Sequence, residues 1–562
     1  MHRHLSRFPQ FVRENSGELL QFIASRHSRM FLSFLLPWLL AGNIQVAAQS
    51  RAAAEQKTAR YFDSIKTQPL ELYAFLRQMP KGGDLHLHLS GSIYAETFIE
   101  WAAGAKPALC VNPATFALGS CDDTFRVPAG QALRDGVLYR RMVDAWSMRN
   151  AQLAGLSGHD QFFDAFAKFG PAGNDRFGEM VADVAKRAAS ERVSYLELML
   201  TPDNGKSREA GRKQEWPSDE EINKLPVAEL MTFLAKKREE LLAGGILQPL
   251  SGSQTSVIQE TKLTLDQLEA RQREALDCAD AAKAHPACRL TIRYVFQVAR
   301  SLPLREAFAQ MVGAMEVMKA DARVVALNLV QPEDARPAMN NFTSQMRMLD
   351  YLAALREYQN NNITLHAGEL APGLVPPEGL RFHIRDSVRL GRAKRIGHGV
   401  DIMYEDNPHE LLKEMAAKRV LVEVCLTSND GILGVRGKEH PLPIYLKHGV
   451  PVALATDDLG ISRSEMTQEY AKAVKEQGIG YIQLKTMARN SLEHAFIGGE
   501  SFWKDARRFT PTFACRNAAP GSTPDRVSPE CQRFLEGNKR ARLQWDLETA
   551  FARFERQLPA GK

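Results

Sequence analysis

The stretch Asp84-Leu85-His86-Leu87-His88-Leu89 reads as a β-strand, and the other motifs of the chain take their meaning from it. Successive side chains on a strand point to opposite faces, so His86 and His88 would lie on one face while the leucines pack on the other. Two imidazoles side by side on a rigid element suit a metal ion. An isolated His-x-His is more often a pair of surface or hydrogen-bonded histidines, so the metal interpretation requires further ligands elsewhere.

Composition and charge limit the classes of protein to which the chain can belong. It has 562 residues, of which 44% are hydrophobic and 25% charged, as is typical of a globular protein with a large core. The formal net charge is +6, and residues 1–48 hold five arginines and two glutamates, which leaves +3 for the remainder. So mild an excess gives no case for a nucleic acid partner.

The first 48 residues have the pattern of a secretory leader. The segment 26–29, with two arginines, precedes an apolar run over residues 30–41, and small residues follow at Val46-Ala47-Ala48. We expect translation to start at Met30 and cleavage to follow Ala48, which predicts an exported protein, periplasmic or secreted. A permanent membrane anchor is the weaker alternative, because the run is shorter than the roughly 20 apolar residues that cross a bilayer.

Six of the seven cysteines form local pairs, which agrees with export. The pairs are Cys110/Cys121, Cys278/Cys288 and Cys515/Cys531. In an oxidising compartment each pair could close a short loop as a disulfide. Cys425 is left over in an apolar strand and is predicted to be a buried free thiol. The alternative that all thiols are reduced stays open, because the number of cysteines is odd.

Short apolar runs alternate with amphipathic stretches along the chain, and eight of the runs read as strands. They cover residues 84–89, 193–200, 290–298, 324–329, 363–366, 395–396, 421–424 and 452–455. Segments with helical period lie between most of them, for example residues 304–318, 347–358, 384–390 and 408–418. Such alternation implies parallel pairing through right-handed crossovers, and eight units predict an α/β fold, a closed (β/α)8 TIM barrel. An open doubly wound sheet is the alternative, but Ser90-Gly91-Ser92 offers no Gly-rich phosphate turn.

The barrel is expected to carry attachments at both ends and two insertions. The expected organisation is a leader over 1–48, an N-terminal helical arm over 49–80, the barrel over 81–500 and a C-terminal helical extension over 501–562. The arm is predicted to hold one helix over residues 58–79, and the extension one over residues 529–558. Insertions near 103–160 and 203–288 are longer than a βα connection needs, and their composition predicts loops or caps over one end of the barrel.

Polar motifs stand at the carboxyl ends of three further strands, where barrel enzymes collect their chemistry. They are His366-Ala367-Gly368-Glu369, Gly397-His398-Gly399 and Thr456-Asp457-Asp458. Each motif alone is more often a helix cap or a turn. In a closed barrel strand eight pairs with strand one, so four side chains would meet: His86, His88, His366 and Asp457. Three imidazoles and a carboxylate, with room for one water, describe a catalytic zinc site.

Together these motifs resemble those of the adenosine/adenine deaminase family of the amidohydrolase superfamily. The resemblance also rests on Pro80-Lys81, Arg395-Ile396, Thr427-Ser428-Asn429 and Phe162-Phe163-x-x-Phe166. It runs in order from about Pro80 to about Phe496. The secretory leader and the long insertions are similar to those of the exported, growth-factor-related adenosine deaminases.

The resemblance implies the hydrolytic deamination of a purine. One zinc ion would be held by His86, His88, His366 and Asp457, and it would activate a water for attack on C6. His398 would orient this water, and Asp457 would receive its proton. Glu369 would be protonated and donate to N1, and Asp458 would hold N7. Adenosine, with 2′-deoxyadenosine also accepted, would give inosine and ammonia, so that purine nucleosides are scavenged outside the cytoplasm.

Two positions depart from the family pattern, and both concern the sugar side of the substrate. Ser90 stands where the family usually has an Asp that meets the ribose, and Gln331 stands where it commonly has a Gly near N3 of the purine. The Gln331 side chain is expected to fill space that a glycine leaves open. Adenine or a modified adenosine is therefore the alternative substrate.

Some further expectations concern the metal and the partners. Many two-metal relatives carry a bridging lysine after the fourth strand, and residues 324–334 contain none, which favours one metal ion. The expected partner is a small purine nucleoside, with no nucleic acid and no permanent membrane anchor, and a homodimer is compatible with the sequence. A secreted binding or signalling protein on a deaminase scaffold is the alternative from another functional class.

Overall fold

Eight parallel strands form the centre of the structure, a computed structural model that describes residues 52–121, 126–153, 155–521 and 527–557. They are β1 Gly82–His88, β2 Val193–Leu200, β3 Thr291–Ala299, β4 Val324–Val330, β5 Thr364–Ala367, β6 Arg395–His398, β7 Leu421–Val424 and β8 Val452–Leu454. All eight predicted strands are confirmed, and their ends agree to within two residues.

The strands form two four-stranded sheets that meet along two seams. One sheet has the order β1-β2-β3-β4 and the other β5-β6-β7-β8, and every neighbouring pair is parallel. A single bridge between Leu327 and Ile363 joins β4 to β5, and another between Leu87 and Asp457 joins β8 to β1. The two bridges close the barrel, so the (β/α)8 prediction is confirmed and the open sheet is excluded.

Helices separate the strands and surround the barrel. They are Ala95–Ala103, Phe177–Ser190, Leu304–Ala320, Arg336–Ala354, His383–Arg389, Pro408–Lys418, Leu426–Leu433, Leu442–Lys447, Leu459–Ser462, Met466–Gln477 and Tyr481–Glu493. The helix predicted over residues 347–358 begins earlier, at Arg336, and ends at Ala354. A proline in its first turn is compatible with this start, because the N–H that proline lacks has no partner there in any helix.

The N-terminal arm consists of two helices, residues 52–65 and Pro69–Gln78, where the sequence predicts one. Pro69 occupies the first position of the second helix, and without an N–H it cannot continue the first. Phe62 and Phe75, one from each helix, pack on Tyr481 of the barrel helix at ring-centroid distances of 6.2 and 6.0 Å. The arm therefore lies against the outside of the barrel.

The C-terminal extension has its own small hydrophobic core, which includes Phe502, Trp503 and Trp545 around the Cys515–Cys531 disulfide. Two helices, Pro529–Gly537 and Lys539–Gln557, replace the single helix predicted over residues 529–558. Asn538 separates them with extended backbone, and its side-chain oxygen accepts from the N–H of Glu500 at 2.8 Å. A long-range hydrogen bond thus interrupts a sequence with continuous helical period.

Both insertions contain regular structure. The first holds the short antiparallel strands Leu109–Val111, Leu118–Ser120 and Val127–Pro128 and the helix Gly136–Ala145, and the helix Gly158–Gly173 follows. The second holds the helices Lys206–Arg212, Asp219–Lys224, Val227–Leu241 and Val257–Ala275. The second insertion consists of helices that pack along the outer helices Phe177–Ser190 and Leu304–Ala320. The apolar stripe of Val257–Ala275, which buries Leu265 and Leu268, explains this position.

The cysteine predictions are confirmed. The three disulfides join the three local pairs, and Cys425 is a buried free cysteine. The predicted leader lies outside the described residues. Within the described part of the chain, no helix combines the length and apolar character needed to cross a bilayer.

Candidate active site

The four predicted metal ligands meet at the carboxyl end of the barrel. His86 and His88 lie on β1, His366 lies on β5, and Asp457 follows β8. Nε2 of His366 is 3.0 Å from Nε2 of His86 and 3.2 Å from Nε2 of His88. Oδ1 of Asp457 is 3.5 Å from Nε2 of both histidines of β1. Four buried donor atoms thus surround one point, as ligands do around a tetrahedral metal ion with bonds of about 2.0–2.2 Å.

Strand geometry produces this arrangement locally. Leu85, Leu87 and Leu89 are buried in the main hydrophobic core, so β1 turns its two histidines to the inside of the barrel. Gly397, on β6, leaves room for His86, because a Cβ atom at this position would lie 2.5 Å from the imidazole. The packing of β1 therefore accounts for the direction in which its histidines point.

Two of the imidazoles are fixed through their other ring nitrogen. Nδ1 of His86 lies 2.8 Å from Oε2 of Glu423, and Nδ1 of His366 lies 2.9 Å from Oδ1 of Asn328. When Nδ1–H donates to these oxygens, the lone pair of Nε2 is left for a metal ion. The arrangement selects the tautomer that a metal site requires.

His88 is fixed by the side-chain amide of Gln297, which lies 2.8 Å from its Nδ1. A half-turn of this amide presents the carbonyl oxygen to Nδ1–H. We expect Gln297→Ala to weaken metal binding by about 10–100-fold, because the His88 ring loses its orientation. Competition with a chelator measures this effect. Thr201→Val is the matched control, since Thr201 donates to Gln297 at 3.3 Å without touching His88, and equal losses in both variants would contradict the assignment.

Buried charges make this point favourable for a cation. Burial opposes a charge on His86, but its bonds to Asp457 and Glu423 raise its pKa to about 10. Burial lowers the pKa of His88 to about 4 and the pKa of His366 well below its usual range. Burial also opposes the charge of Asp457, yet its bond to His86 and the neighbouring histidines hold its pKa below the ordinary value. An ionised carboxylate beside the neutral imidazoles of His88 and His366 fits a metal ion, which would take the place of the proton that the raised pKa of His86 indicates on that ring.

Glu369 lies beside the cluster, with Oε1 3.6 Å from Nε2 of His398. Burial raises the pKa of Glu369 well above its usual value, and the charges of Asp457 and Glu333 add to this effect. Its carboxyl group is therefore protonated at neutral pH and can donate a proton. Glu333 holds the turn that carries it, accepting from the N–H groups of Gly368 and Glu369 at 3.2 and 2.9 Å.

His398 presents an unpaired N–H donor to the same space. Its Nδ1 accepts from Nδ2 of Asn429 at 3.0 Å, so the proton of the neutral ring sits on Nε2. Burial lowers the pKa of His398 to about 3, which keeps the ring neutral. Among the described residues, Nε2 is buried and has no hydrogen-bond partner. His398 also has a left-handed φ of 67°, a strained value that is common at functional sites.

Asp458 is a second neutral carboxyl group in the site. Burial raises its pKa well above the usual value, and the charge of Asp457 adds to this effect. Its Oδ1 is buried with no hydrogen-bond partner within the described part of the chain. Gly91 permits this position, because a Cβ atom there would come within 1.6 Å of Oδ1. Asp458 is therefore able to donate to an acceptor on a bound molecule.

A cavity of about 430 Å³ leads from these groups to the surface. Its lining residues are His88, Ser90, Phe162, Phe163, Phe166, Gln297, Val330, Gln331, Pro332, His366, Glu369, Asp457 and Asp458. The three phenylalanines come from the helix Gly158–Gly173, which follows the first insertion. The cavity therefore combines a polar floor with an aromatic wall, a combination that suits a planar, polar ring.

The two residues that differ from the family pattern lie at the mouth of the cavity. Ser90 and Gln331 are both exposed. Gln331 has a φ of 83°, which favours glycine, and its Oε1 accepts from the N–H of Ser301 at 3.1 Å. Its side chain is thus tied to the rim, whereas the sequence predicts that it fills the space beside the substrate.

A hydrogen-bonded ion pair joins the aromatic helix to the loop after β4 at the same mouth. Nε2 of His159 donates to Oδ1 of Asp334 at 2.9 Å. The bond to Asp334 raises the pKa of His159 above its ordinary value, burial opposes this rise, and a second bond to Asp160 adds to it. The His159 ring also packs on Phe163, with centroids 4.8 Å apart. We call this pair the His159–Asp334 clasp.

The positioning residues were missed by the sequence analysis, although two of them left a signal. Glu423 is the single polar residue of β7, and Asn328 is the single polar residue of β4. A lone polar residue inside a buried apolar strand needs a partner, so each could have been sought as a neighbour of a histidine. Gln297 stands in a more mixed strand and gave no comparable signal.

Comparison with known proteins finds a family model that matches part of the chain. Residues 256–502, less than half of the chain, match the family model described as adenosine deaminase. The matched range contains six of the predicted site residues: Gln331, His366, Glu369, His398, Asp457 and Asp458. The resemblance to the deaminase family is thereby confirmed. His86 and His88 precede the matched range, and the geometry of the site joins them to it.

Parts of the chain are similar to curated adenosine deaminases. The similarity to the enzyme of Clostridium perfringens is 30% identity over 186 residues, 33% of this chain and 52% of the relative. For the enzyme of Shewanella loihica it is 38% over 136 residues, 24% of this chain and 38% of the relative. For that of Escherichia coli it is 37% over 140 residues, 25% of this chain and 39% of the relative. The matched stretches thus span about half the length of these relatives or less.

Solved structures of three related proteins resemble the chain at low sequence identity. One is an N6-mAMP deaminase of Arabidopsis, with 19% identity and a TM-score of 0.48, covering 76% of this chain and 96% of that one. Another is an adenine deaminase of Arthrobacter aurescens, with 17% identity and a TM-score of 0.43, covering 75% and 94%. The third is an amidohydrolase of Burkholderia ambifaria with bound Zn, with 17% identity and a TM-score of 0.44, covering 79% and 91%.

Proposed function

We propose, with the adenosine deaminase family match of residues 256–502 as the premise, that this chain is a zinc-dependent aminohydrolase. It converts adenosine, and also 2′-deoxyadenosine, to inosine or deoxyinosine and ammonia. One observation carries the proposal: the four converging donor atoms lie beside two neutral carboxyl groups and an unpaired imidazole N–H. A site that only stored a metal ion would need none of these three groups.

The metal site would take one zinc ion, held by His86, His88, His366 and Asp457. When bound, zinc lowers the pKa of a water toward about 7 and so supplies a nucleophile at neutral pH. The Nδ1 partners Glu423 and Asn328 support this assignment, because they leave Nε2 of His86 and His366 free for a metal ion.

The purine would be activated by proton donation from two carboxyl groups. Glu369 gives its proton to N1, which draws electrons from the ring and makes C6 electrophilic. Asp458 donates from its protonated carboxyl group to N7 and holds the ring in register. The environment of Glu369 raises its pKa, whereas that of Asp457 lowers its pKa. This difference suits their roles, because Glu369 must stay neutral to donate a proton and Asp457 must stay ionised to bind a metal ion.

The attacking water would be directed by His398 and Asp457. The Nε2–H of His398 donates to the water oxygen and stabilises the negative charge that builds on it. Asp457 accepts the proton that the water loses as its oxygen bonds to C6. Asp457 passes this proton to the amino group, the C6–N bond breaks and ammonia departs. The C6 hydroxyl gives its proton back to Glu369 as the 6-oxopurine forms.

A spectroscopic assay tests this function. Protein of residues 49–562, loaded with zinc, is mixed with adenosine, and the ultraviolet change on inosine formation is followed. Parallel reactions with 2′-deoxyadenosine and adenine test the sugar side, which Ser90 and Gln331 put in question. Turnover of adenine alone would show that adenine, and not adenosine, is the substrate. Stoichiometric zinc without turnover of any of the three would contradict the deaminase and favour a binding protein.

We also propose that the protein is exported, to the periplasm or the medium. The three disulfides support this location, because such bonds persist in oxidising compartments. Mass spectrometry of protein recovered from the periplasm and medium should find an N-terminus at residue 49. Recovery of an uncut chain in the cytoplasm would contradict the proposal.

The His159–Asp334 clasp should act on substrate affinity and leave the chemical step unchanged. We expect Asp334→Asn to raise KM about 2–5-fold at nearly constant kcat, because half-buried ion pairs contribute up to about 1 kcal/mol. Since the pKa of His159 is raised, the clasp persists at low pH and is lost as the pH rises through that pKa. The KM of the wild type should rise with it.

Steady-state kinetics at several pH values measures both effects of the clasp. Asp160→Asn is the matched control, because Asp160 contacts the same imidazole at 3.1 Å but does not reach the loop after β4. A loss confined to kcat in Asp334→Asn, or the same pH dependence of KM in that variant, would contradict this role.

A further inference from the structure

A second cavity lies on the face of the barrel opposite the candidate active site. Its volume is about 520 Å³, and it opens at the amino ends of β6 and β7. Its walls come from the segments that precede these strands, from residues 493–496 after the last barrel helix, and from the C-terminal helix Lys539–Gln557. The cavity is therefore a groove between the barrel and its C-terminal extension.

The groove is strongly basic. Six cationic side chains line it: Arg392, Lys394, Arg395, Lys418, Arg419 and Arg540. The single carboxylate of its lining, Glu493, accepts from Ser501 at 2.6 Å and from Gln544 at 2.8 Å, so it is engaged with neutral donors. Positive charge therefore exceeds negative charge on these walls by a wide margin.

Half of these cations are neutralised by carboxylates. Arg395 is paired with Glu197 and Glu423, each at 2.5 Å. Two others at the edge of the groove are paired as well, Arg392 with Asp350 at 2.6 Å and Lys418 with Glu414 at 2.7 Å. The excess of positive charge therefore rests on the remaining three side chains.

Lys394, Arg419 and Arg540 donate hydrogen bonds to neutral groups, and we call them the cationic triad. The carboxylates of Glu493 and Asp505 act on Arg419 only from beyond ion-pair distance. Nζ of Lys394 donates to Oδ1 of Asn362 at 2.7 Å, and Arg540 donates to the carbonyl oxygen of Ile497 at 3.0 Å. Arg419 donates to Nε2 of His494 at 3.3 Å. Within the described residues, none of the triad pairs with a carboxylate.

The surroundings of the triad disfavour its charges. Burial and the neighbouring Arg540 lower the pKa of Lys394. Burial, together with Arg419 and two more arginines, lowers the pKa of His494 to about 3, so this imidazole adds an uncharged ring to the groove. Lys394 is exposed, whereas Arg419 and Arg540 are half-buried. An anion bound in this groove would relieve the repulsion by which Arg540 lowers the pKa of Lys394.

We propose that this groove is a binding site for the phosphate group of a small ligand, held by Lys394, Arg419 and Arg540. Arginine presents a planar fork that matches phosphate oxygens, and lysine adds a point charge. The volume of about 520 Å³ is in the range of small-molecule sites, so it admits a phosphorylated metabolite the size of a nucleoside monophosphate. The half-buried positions of Arg419 and Arg540 in the groove favour such a ligand over a membrane surface.

Calorimetric titration with inorganic phosphate tests the proposal on the chain of residues 49–562. We expect one site per chain, with affinity that falls as salt rises. Lys394→Gln/Arg540→Gln should weaken phosphate binding at least about 10-fold, since charge-assisted hydrogen bonds are lost. The matched control is Lys224→Gln/Arg436→Gln, which removes two charges from side chains that are each 72% exposed and lie outside the groove.

A second variant and a second ligand make the outcome decisive. Asn362→Asp places a carboxylate beside Lys394 and should also weaken binding, without deleting any cation. Adenosine turnover of each variant reports its folding and is expected to stay unchanged. The unfolding midpoint of Asn362→Asp is expected to fall, because Nδ2 of Asn362 donates to the carbonyl oxygen of Val325 at 2.9 Å. Unchanged phosphate affinity in both groove variants, or an equal loss in the control, would overturn the proposal. So would binding of anionic lipid vesicles without binding of phosphate or of adenosine monophosphate.

Discussion

Replacement of Glu369 by glutamine is expected to lower kcat by about 10²–10⁴-fold and to leave the metal content at one ion per chain. The amide has the shape of the acid but no proton to give to N1. Glu369 is buried and its pKa lies well above the ordinary value, so the native group is a proton donor at neutral pH. Steady-state turnover of adenosine and metal analysis of the same sample measure the two effects.

A matched substitution separates chemistry from folding. Glu378→Gln makes the same change at an exposed position on the loop that follows β5, and it should leave kcat and metal content unchanged. If Glu369→Gln kept the full rate, Glu369 would have no role as an acid. If it lost metal together with activity, its role would be that of a ligand.

Removal of one metal ligand should abolish both binding and turnover. The variant His366→Ala loses one imidazole ligand. In the wild type, Nε2 of this imidazole lies within 3.2 Å of Nε2 of both histidines of β1. We expect metal content to fall well below one ion per chain and turnover to fall at least about 10³-fold, because the activated water is lost with the metal. Metal analysis after dialysis and the adenosine assay measure these effects.

The control for this variant is His409→Ala, which deletes an exposed imidazole from the outer helix Pro408–Lys418. Added zinc should not restore His366→Ala at concentrations that saturate the wild type. Full activity of His366→Ala in the presence of a chelator would show that the reaction needs no metal at this point, and it would contradict the proposed site.

The architecture of the barrel was predictable because its signals are local. Each strand is a short apolar run flanked by polar residues. The runs at 193–200 and 421–424 agree residue for residue with β2 and β7. Helix ends were less predictable. The breaks at Pro69 and Asn538 interrupt sequences with helical period, and the hydrogen bond to Asn538 comes from Glu500, far away in the chain.

The residues of the candidate site also fall into those that the sequence predicted and those that it did not. His366 and Asp457 were predictable because they stand at strand ends, and the topology of a barrel states which strand ends meet. Glu423 and Asn328 were not, because their partners depend on the register between strands that are distant in sequence. Gln331 shows a third case. The position of its side chain is fixed by a hydrogen bond from the backbone N–H of Ser301, and no sequence motif predicts this bond.

The two seams of the barrel would give a bound metal ion a mechanical role besides its proposed chemical one. His86 and His88 belong to the half formed by β1 to β4, whereas His366 and Asp457 belong to the half formed by β5 to β8. Each seam is closed by a single bridge. A metal ion coordinated from both sides would therefore hold together two halves that share little backbone pairing. Metal-depleted protein should therefore open along the seams, and amide exchange at Asp457 and Leu327, whose N–H groups donate across the seams, should accelerate before exchange within either half.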